Sequence, residues 1–181
     1  FTYLFSLLMF IAALVSLFFI MPYPDKDFNK LLIVDDYSIL FLGVICFAGI
    51  LITILSYEYL SKQPGEREEF FIILFIASLG ASVIVLSGHF ISFFLGLETL
   101  SISLYVLIAY LRWRDQCIEA GVKFLVIASL STAFLLFGMG LIYAGSGTMV
   151  ISELIAMSGG IGSPLMLAGL VMMLAGIGFK L

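Results

Sequence analysis

The stretch Gly88-His89-Phe90-Ile91-Ser92-Phe93-Phe94-Leu95-Gly96-Leu97-Glu98-Thr99-Leu100-Ser101-Ile102-Ser103-Leu104-Tyr105-Val106-Leu107-Ile108-Ala109 is apolar nearly throughout and carries a carboxyl group in its middle. A hydrocarbon core roughly 30 Å thick is crossed by about 20 such residues in a helix. Glu98 comes about nine residues into the run, roughly 13 Å at 1.5 Å per residue, which puts it near the bilayer midplane. A charge at that depth costs roughly 2.5 to 3.5 kcal/mol on insertion scales, so it pairs with another ionisable group or lies on an ion path. Lys123 and Lys180, each inside a later apolar run, are the candidate partners.

The rest of the chain has the same character. Of 181 residues, 63% are hydrophobic and only 11% charged, too few to coat a soluble domain. The formal charge of -4 is spread over loops and indicates no nucleic-acid surface. Cys46 and Cys117 have neither C-x-x-C spacing nor companion ligands, so they read as small buried hydrophobes. Six apolar runs can be placed, approximately residues 1–21, 37–57, 70–87, 90–110, 118–143 and 164–181. The expected fold is all-α, a polytopic transmembrane helix bundle. The first run lacks the basic flank and cleavage site of a secretory signal and reads as a span. A chain that opens on Phe1 and stops at Leu181 inside an apolar run reads as a piece of a longer protein.

The connections have their own signals. Gly88-His89 leaves room only for a tight turn, hence a helical hairpin, whereas residues 22–36 and 60–69, the latter with Pro64-Gly65, form longer polar links. Arg112-Trp113-Arg114-Asp115 separates the fourth and fifth runs, and residues 145–163 separate the fifth and sixth. In that last link Ile151, Leu154 and Ile155 beside Glu153 predict a short interfacial helix. If the links alternate sides, Lys62, Arg67, Arg112 and Arg114 fall on one side against Lys26 and Lys30 on the other, so the first set faces the cytoplasm. Asp25, Asp27, Asp35 and Asp36 then lie opposite.

Few residues here can carry chemistry. The plain structural alternative for Glu98 is a neutral acid that only holds two helices together; its charge state can be switched by a partner that moves or titrates. Glu119 and Lys123 stand four apart on one helical face, either a snorkelling interfacial pair or a buried site of proton exchange. Lys180 follows Gly176 and Gly178, which weaken the helix as in the interrupted helices of transporters; the alternative is a basic residue ending a span at the interface. His89, in the turn, is either a solvated side chain or an accessory on a proton path. None of these has metal-ligand spacing, and Gly159-Gly160-Ile161-Gly162 is too weak a signal for nucleotide binding. The eighteen Phe residues read as lipid-facing and packing material, and Gly138, Gly140, Ala168 and Gly169 as points of close helix packing.

Four motifs in order, Phe94-Leu95-Gly96-Leu97-Glu98-Thr99-Leu100-Ser101, Glu119-Ala120-Gly121-Val122-Lys123-Phe124, Phe134-Leu135-Leu136-Phe137-Gly138-Met139 and Gly176-Ile177-Gly178-Phe179-Lys180-Leu181, resemble the antiporter-like membrane subunits of NADH-quinone oxidoreductase, respiratory complex I. Among these they are most similar to subunit N, since subunit M usually carries a Trp close before the glutamate where this chain has Gly96-Leu97. The resemblance implies about fourteen helices with two inverted repeats in the full-length protein, of which this chain would hold the second to seventh. It implies that Glu98, Lys123 and Lys180 line a proton half-channel, with Glu119 at a recurring acidic position. The mechanism expected is that a Glu98–Lys123 interaction switches with the redox cycle of the complex and passes protons on to Lys180. It also implies no cofactor in this chain, with NADH, FMN, iron-sulfur clusters and quinone in partner subunits. The implied setting is a bacterial plasma (inner) membrane beside subunits M and L and small membrane subunits. Multisubunit sodium/proton antiporters share the Glu and Lys pattern and are the alternative. A spacer whose ionisable groups merely lock helices is a third reading.

Overall fold

In the computed structural model, residues 2–20, 26–28, 30–63, 68–157 and 163–180 are described. They form seven helices: α1 (Thr2–Ile20), α2 (Asp36–Ser61), α3 (Glu68–Val85), α4 (Phe90–Ile108), α5 (Asp115–Ser146), α6 (Ile151–Met157) and α7 (Pro164–Gly178). Helices α1 to α5 are long and apolar enough to cross a membrane, and large hydrophobics such as Phe18, Leu55 and Val126 remain exposed along them. This is an integral membrane protein whose outer surface is suited to lipid or to neighbouring apolar helices.

The fold is all-helical as expected: five of the six apolar runs form the membrane-length helices α1 to α5, and the sixth begins as α7, described over Pro164–Gly178. The polar link before α2 is not plain loop: β1 (Lys26–Phe28) pairs antiparallel with β2 (Leu32–Val34), a small hairpin added to the helical fold. Its sequence sign is the short apolar run Leu31-Leu32-Ile33-Val34, with β-branched Ile33 and Val34, between polar residues.

Helix ends follow local chemistry. The Asp35 carboxylate accepts from the Ser38 backbone N–H while Ser38 Oγ accepts from that of Asp35, a reciprocal capping box at the start of α2. Ser163 caps α7, with Pro164 just inside it where the missing N–H is not needed. His89 caps α4 by accepting from the Ile91 N–H at Nδ1. Gly147, at φ 74°, lets α5 end in a left-handed turn.

The bundle is built of close helix pairs. Gly80 of α3 and Gly96 of α4 face each other's backbones, so the hairpin expected at Gly88-His89 closes without intervening side chains. Gly138 of α5 and Gly169 of α7 do the same, and Gly176 lies against Ser131 and Leu135. Of the four small residues expected to mediate close packing, Gly140 has open space where a Cβ would go and Ala168 is exposed, so only Gly138 and Gly169 do so. Leu135, Met139, Ile142 and Met173 form the core between α5 and α7, flanked by Phe90, Phe94 and Leu97 of α4 and Leu154 of α6. At the other end, the Phe10 ring of α1 fills the notch left by Gly49 of α2 and packs on Phe75 of α3.

The links do alternate sides. On one side three of them are sewn together by backbone hydrogen bonds: Ile33 N–H to Leu86 O, Gly88 N–H to Leu31 O, Phe90 N–H to Met149 O and Ile151 N–H to Gly88 O. Lys30, in a left-handed conformation at φ 58°, sends its ammonium to Glu153 at 2.8 Å, and Thr148 donates to the same carboxylate. The expected interfacial helix is α6, which carries Glu153. On the other side Arg112 pairs with Glu69 at 3.1 Å. Arg67, Asp25, Pro64-Gly65 and Gly159 to Gly162, used in the sequence reading, lie outside the described residues.

Two outcomes are expected from this architecture. A Cβ at Gly138 would meet Gly169 O at 2.7 Å, so Gly138→Ala should cost about 1–3 kcal/mol by overpacking, while Gly140→Ala should be nearly neutral; thermal unfolding of the two variants in detergent compares them. The Lys30 and Thr148 hydrogen bonds hold the Glu153 carboxyl below its usual 4.5. A depressed carboxyl stabilises above its unfolded value and loses that contribution as pH falls through its folded value. Intrinsic-rate-corrected hydrogen exchange at Gly88 and Ile151 should therefore be best protected at neutral pH and only slightly less protected as pH falls below the ordinary carboxylate range, since an exposed pair contributes little, and Glu153→Gln should abolish that small dependence.

Candidate functional site

Thr99 is the central residue of α4 and Glu98 immediately precedes it, so the carboxyl group sits halfway along the helix. Its Oε1 receives two hydrogen bonds, from Lys180 Nζ at 2.8 Å and from Thr132 Oγ1 at 2.7 Å. Lys180 Nζ also donates to Ser101 Oγ at 3.0 Å. The two charged side chains retain only 27% (Glu98) and 11% (Lys180) of their exposure. Each of the three helices α4, α5 and α7 contributes to the cluster, the last through the residues that follow its end.

The residues just past α7 bring the lysine to this depth. After Gly178 the helix gives way to a turn in which the Lys180 N–H bonds to Ile177 O, three residues back. The Gly176 carbonyl, the acceptor a continuing α-helix would use, is taken instead by the fully buried Ser131 hydroxyl of α5. A helix end buried without such a partner would leave carbonyls unsatisfied in apolar surroundings. Adjacent residues of α5 thus do two tasks: Ser131 ties down the end of α7, and Thr132 binds Glu98. The pairing puts the Lys180 ammonium level with the middle of α4 rather than at the end of a span.

An ion pair here balances attraction against desolvation, and the neighbouring hydroxyls shift that balance by satisfying both charges. The pair is also poised for exchange. Thr132 Oγ1 lies 2.9 Å from Ala128 O as well as 2.7 Å from Glu98, yet a hydroxyl has one proton to donate. Ser101 Oγ likewise accepts from Lys180 while donating to Leu97 O. Each hydroxyl can therefore serve the ionised and the neutral forms of the pair.

The other expected site residues lie elsewhere. Lys123 pairs with Glu119 on α5, not with Glu98, and both side chains are well exposed. Lys123 is one residue short of ten before Thr132 on the same helix, or roughly 13 Å along its axis. The Glu98–Lys123 contact expected from the resemblance is thus replaced, among the described residues, by Glu98–Lys180. His89 is likewise a long way from the cluster, in the sewn loops at the start of α4, where its Nδ1 is occupied by the cap. Sequence reasoning missed Ser101, Ser131 and Thr132. The signal was present: Ser101 follows Glu98 by one turn of helix, and Ser129, Ser131 and Thr132 interrupt the apolar run of α5. No group of three or more His, Cys, Asp or Glu residues able to hold a metal occurs among the described residues, and Cys46 and Cys117 are free thiols.

The family model described as NADH:quinone oxidoreductase/Mrp antiporter, transmembrane, matches residues 87–181, just over half of the chain and all of the cluster. The chain belongs to that family. Over 99% of its length it superposes on a chain of respiratory complex I from Thermus thermophilus solved with bound aureothin, at 27% identity and a TM-score of 0.79. It also superposes, over 97% of its length, on a chain of the membrane-bound sulfane sulfur reductase, an archaeal respiratory membrane complex, with a TM-score of 0.86; at 21% identity that likeness shows the fold alone. This chain spans 38% of the length of each.

Removing one member of the pair should cost more than removing both. Lys180→Met leaves Glu98 without its cation and should destabilise by about 3 kcal/mol, the lower end for a broken buried pair because the acid can take up a proton. The double variant Glu98→Leu/Lys180→Met should recover most of that loss in thermal unfolding; a double loss equal to the sum of the Glu98→Leu and Lys180→Met losses would show that the pair contributes no coupling.

Proposed function

We propose that this chain is part of a proton-translocating membrane subunit of NADH-quinone oxidoreductase, of the subunit N type, and that Glu98 and Lys180 form its exchange site. The single observation that carries the reading is the 2.8 Å Glu98–Lys180 contact at the middle of α4, held by hydroxyls from two helices. Such a pair is costly to place in a membrane and has its value where its charges change during a working cycle. Family membership and the likeness to a complex I chain support the same reading.

On this proposal, protons enter and leave through hydrated gaps between helices, with Lys123 and Glu119 as the next ionisable station towards the end of α5 that adjoins Arg112 and Arg114. Glu98 alternates between pairing with Lys180 and a separated state, and the change in its field alters proton occupancy at the lysines. The groups titrate as a set, so no step belongs to one residue alone. The chain holds no cofactor of its own; NADH oxidation on FMN and iron-sulfur clusters, and quinone reduction, take place in partner subunits. Subunits M and L and small membrane subunits are its neighbours in a bacterial plasma membrane, and the full-length protein completes a bundle of about fourteen helices with a second repeat. The alternative, a subunit of a multisubunit sodium/proton antiporter, is favoured by the same family description, and co-purification with NADH dehydrogenase subunits distinguishes the two.

The test is NADH-driven proton pumping in proteoliposomes by the full complex carrying Glu98→Gln, with assembly and quinone reductase activity measured on the same sample. Pumping should fall at least tenfold, as for loss of a proton-transfer group, in a complex that assembles normally. Unchanged pumping and turnover would reduce Glu98 to a residue that locks helices.

A further inference from the structure

Thr132 stands between two acceptors with one proton. Its Oγ1 lies 2.7 Å from Glu98 Oε1 and 2.9 Å from Ala128 O, the carbonyl one helical turn back on its own helix. A hydroxyl on a membrane helix needs only the second of these to be satisfied. The first is a choice made by the site, and it falls on the same carboxylate oxygen that Lys180 holds.

We propose that Thr132 is a positioning residue for proton transfer, a hydroxyl switch whose rotation follows the protonation state of Glu98. This rests on the reading of Glu98 and Lys180 as the exchange site. When Glu98 is ionised, Thr132 donates to Oε1 and leaves Ala128 O to its helical partner. When a proton passes from Lys180 Nζ to Oε1, an N–H bond breaks, an O–H bond forms, and the pair changes from two opposite charges to a neutral acid and a neutral amine with no change in net charge. The new O–H first donates back to the neutral amine 2.8 Å away. Once the lysine is reprotonated or separates, the acid needs another acceptor, and Thr132 Oγ1 is at hydrogen-bond distance to be it, provided its own proton turns to Ala128 O. The separated acid is then not left as an unpaired donor, which in apolar surroundings would oppose the exchange.

The placement of Thr132 fits this role. Its neighbour Ser131 is fully buried and fixes α5 to the end of α7 through the Gly176 carbonyl, which anchors α5 next to Thr132, 2.7 Å from Glu98. Lys180 from α7 and Thr132 from α5 approach the same oxygen. Tyr105, on α4 itself, also lies within electrostatic reach of Glu98.

The experiment compares Thr132→Val, which keeps shape and loses the hydroxyl, with Thr132→Ser, which keeps it, in the full assembled complex. Two readouts are taken: NADH-driven proton pumping, and the infrared carboxyl stretch of protonated Glu98, identified by its disappearance in Glu98→Gln. The valine variant should move that band to the higher frequency of a less hydrogen-bonded acid and lower pumping roughly tenfold, the effect of losing one hydrogen bond to a charged group. Serine should restore both. A band that does not move in Thr132→Val, or pumping that stays at the wild-type rate while Glu98→Gln abolishes it, would overturn the switch. Normal pumping by Glu98→Gln itself would instead sink the exchange site on which the switch depends, so the two failures are told apart by which variant pumps.

Discussion

A carboxylate and an ammonium, 2.8 Å apart at the middle of a membrane-length helix, set the terms for the rest of this structure. Neither charge is tolerable alone at that depth. Their meeting places Lys180, just past Gly178, beside the middle of α4, where the Ser131 hydroxyl donates to the neighbouring Gly176 carbonyl. Bringing Ser131 close enough requires α5 and α7 to touch backbone to backbone, which Gly138 and Gly169 allow. One electrostatic constraint is thus met with a buried hydroxyl and two missing side chains.

The sewn loops serve the same end from a distance. Strand β2, the turn at Gly88 and the residue before α6 are joined by backbone hydrogen bonds, which fix the starts of α2 and α4 and the end of α5 relative to one another. Because α4 begins at this seam, the depth of Glu98 is set by it. The Lys30–Glu153 contact joins segments far apart in sequence, but it is exposed and so is worth little by itself. The backbone bonds do most of the fixing, since each pairs a donor and an acceptor that would otherwise meet the interface unpaired.

Much of this was legible in advance where the signal was local. Apolar runs of membrane length place the helices, the two-residue link at Gly88-His89 gives the hairpin, and Ile151, Leu154 and Ile155 around Glu153 announce α6. A lone carboxyl group in an apolar run marks Glu98 without any partner being known. What could not be read locally is which of two lysines it meets. Lys123 is nearer in sequence and belongs to the next long helix, yet its own helical neighbour Glu119 takes it. The hairpin of β1 and β2 was hidden for a related reason: strands of three residues carry too short a pattern to register against a polar link.

The sequence by itself determined that this is a membrane bundle with few ionisable groups, where its helices run, and that Glu98 at mid-helix needs a counter-charge, because each of these follows from hydrophobic length and the cost of burying charge. Only the tertiary structure decided that the counter-charge is Lys180 and that Ser101 and Thr132 gather around the pair. Those outcomes depend on how close α4, α5 and α7 approach one another, which is set by contacts between residues 34 to 82 positions apart in the chain, and no local pattern encodes a distance of that kind.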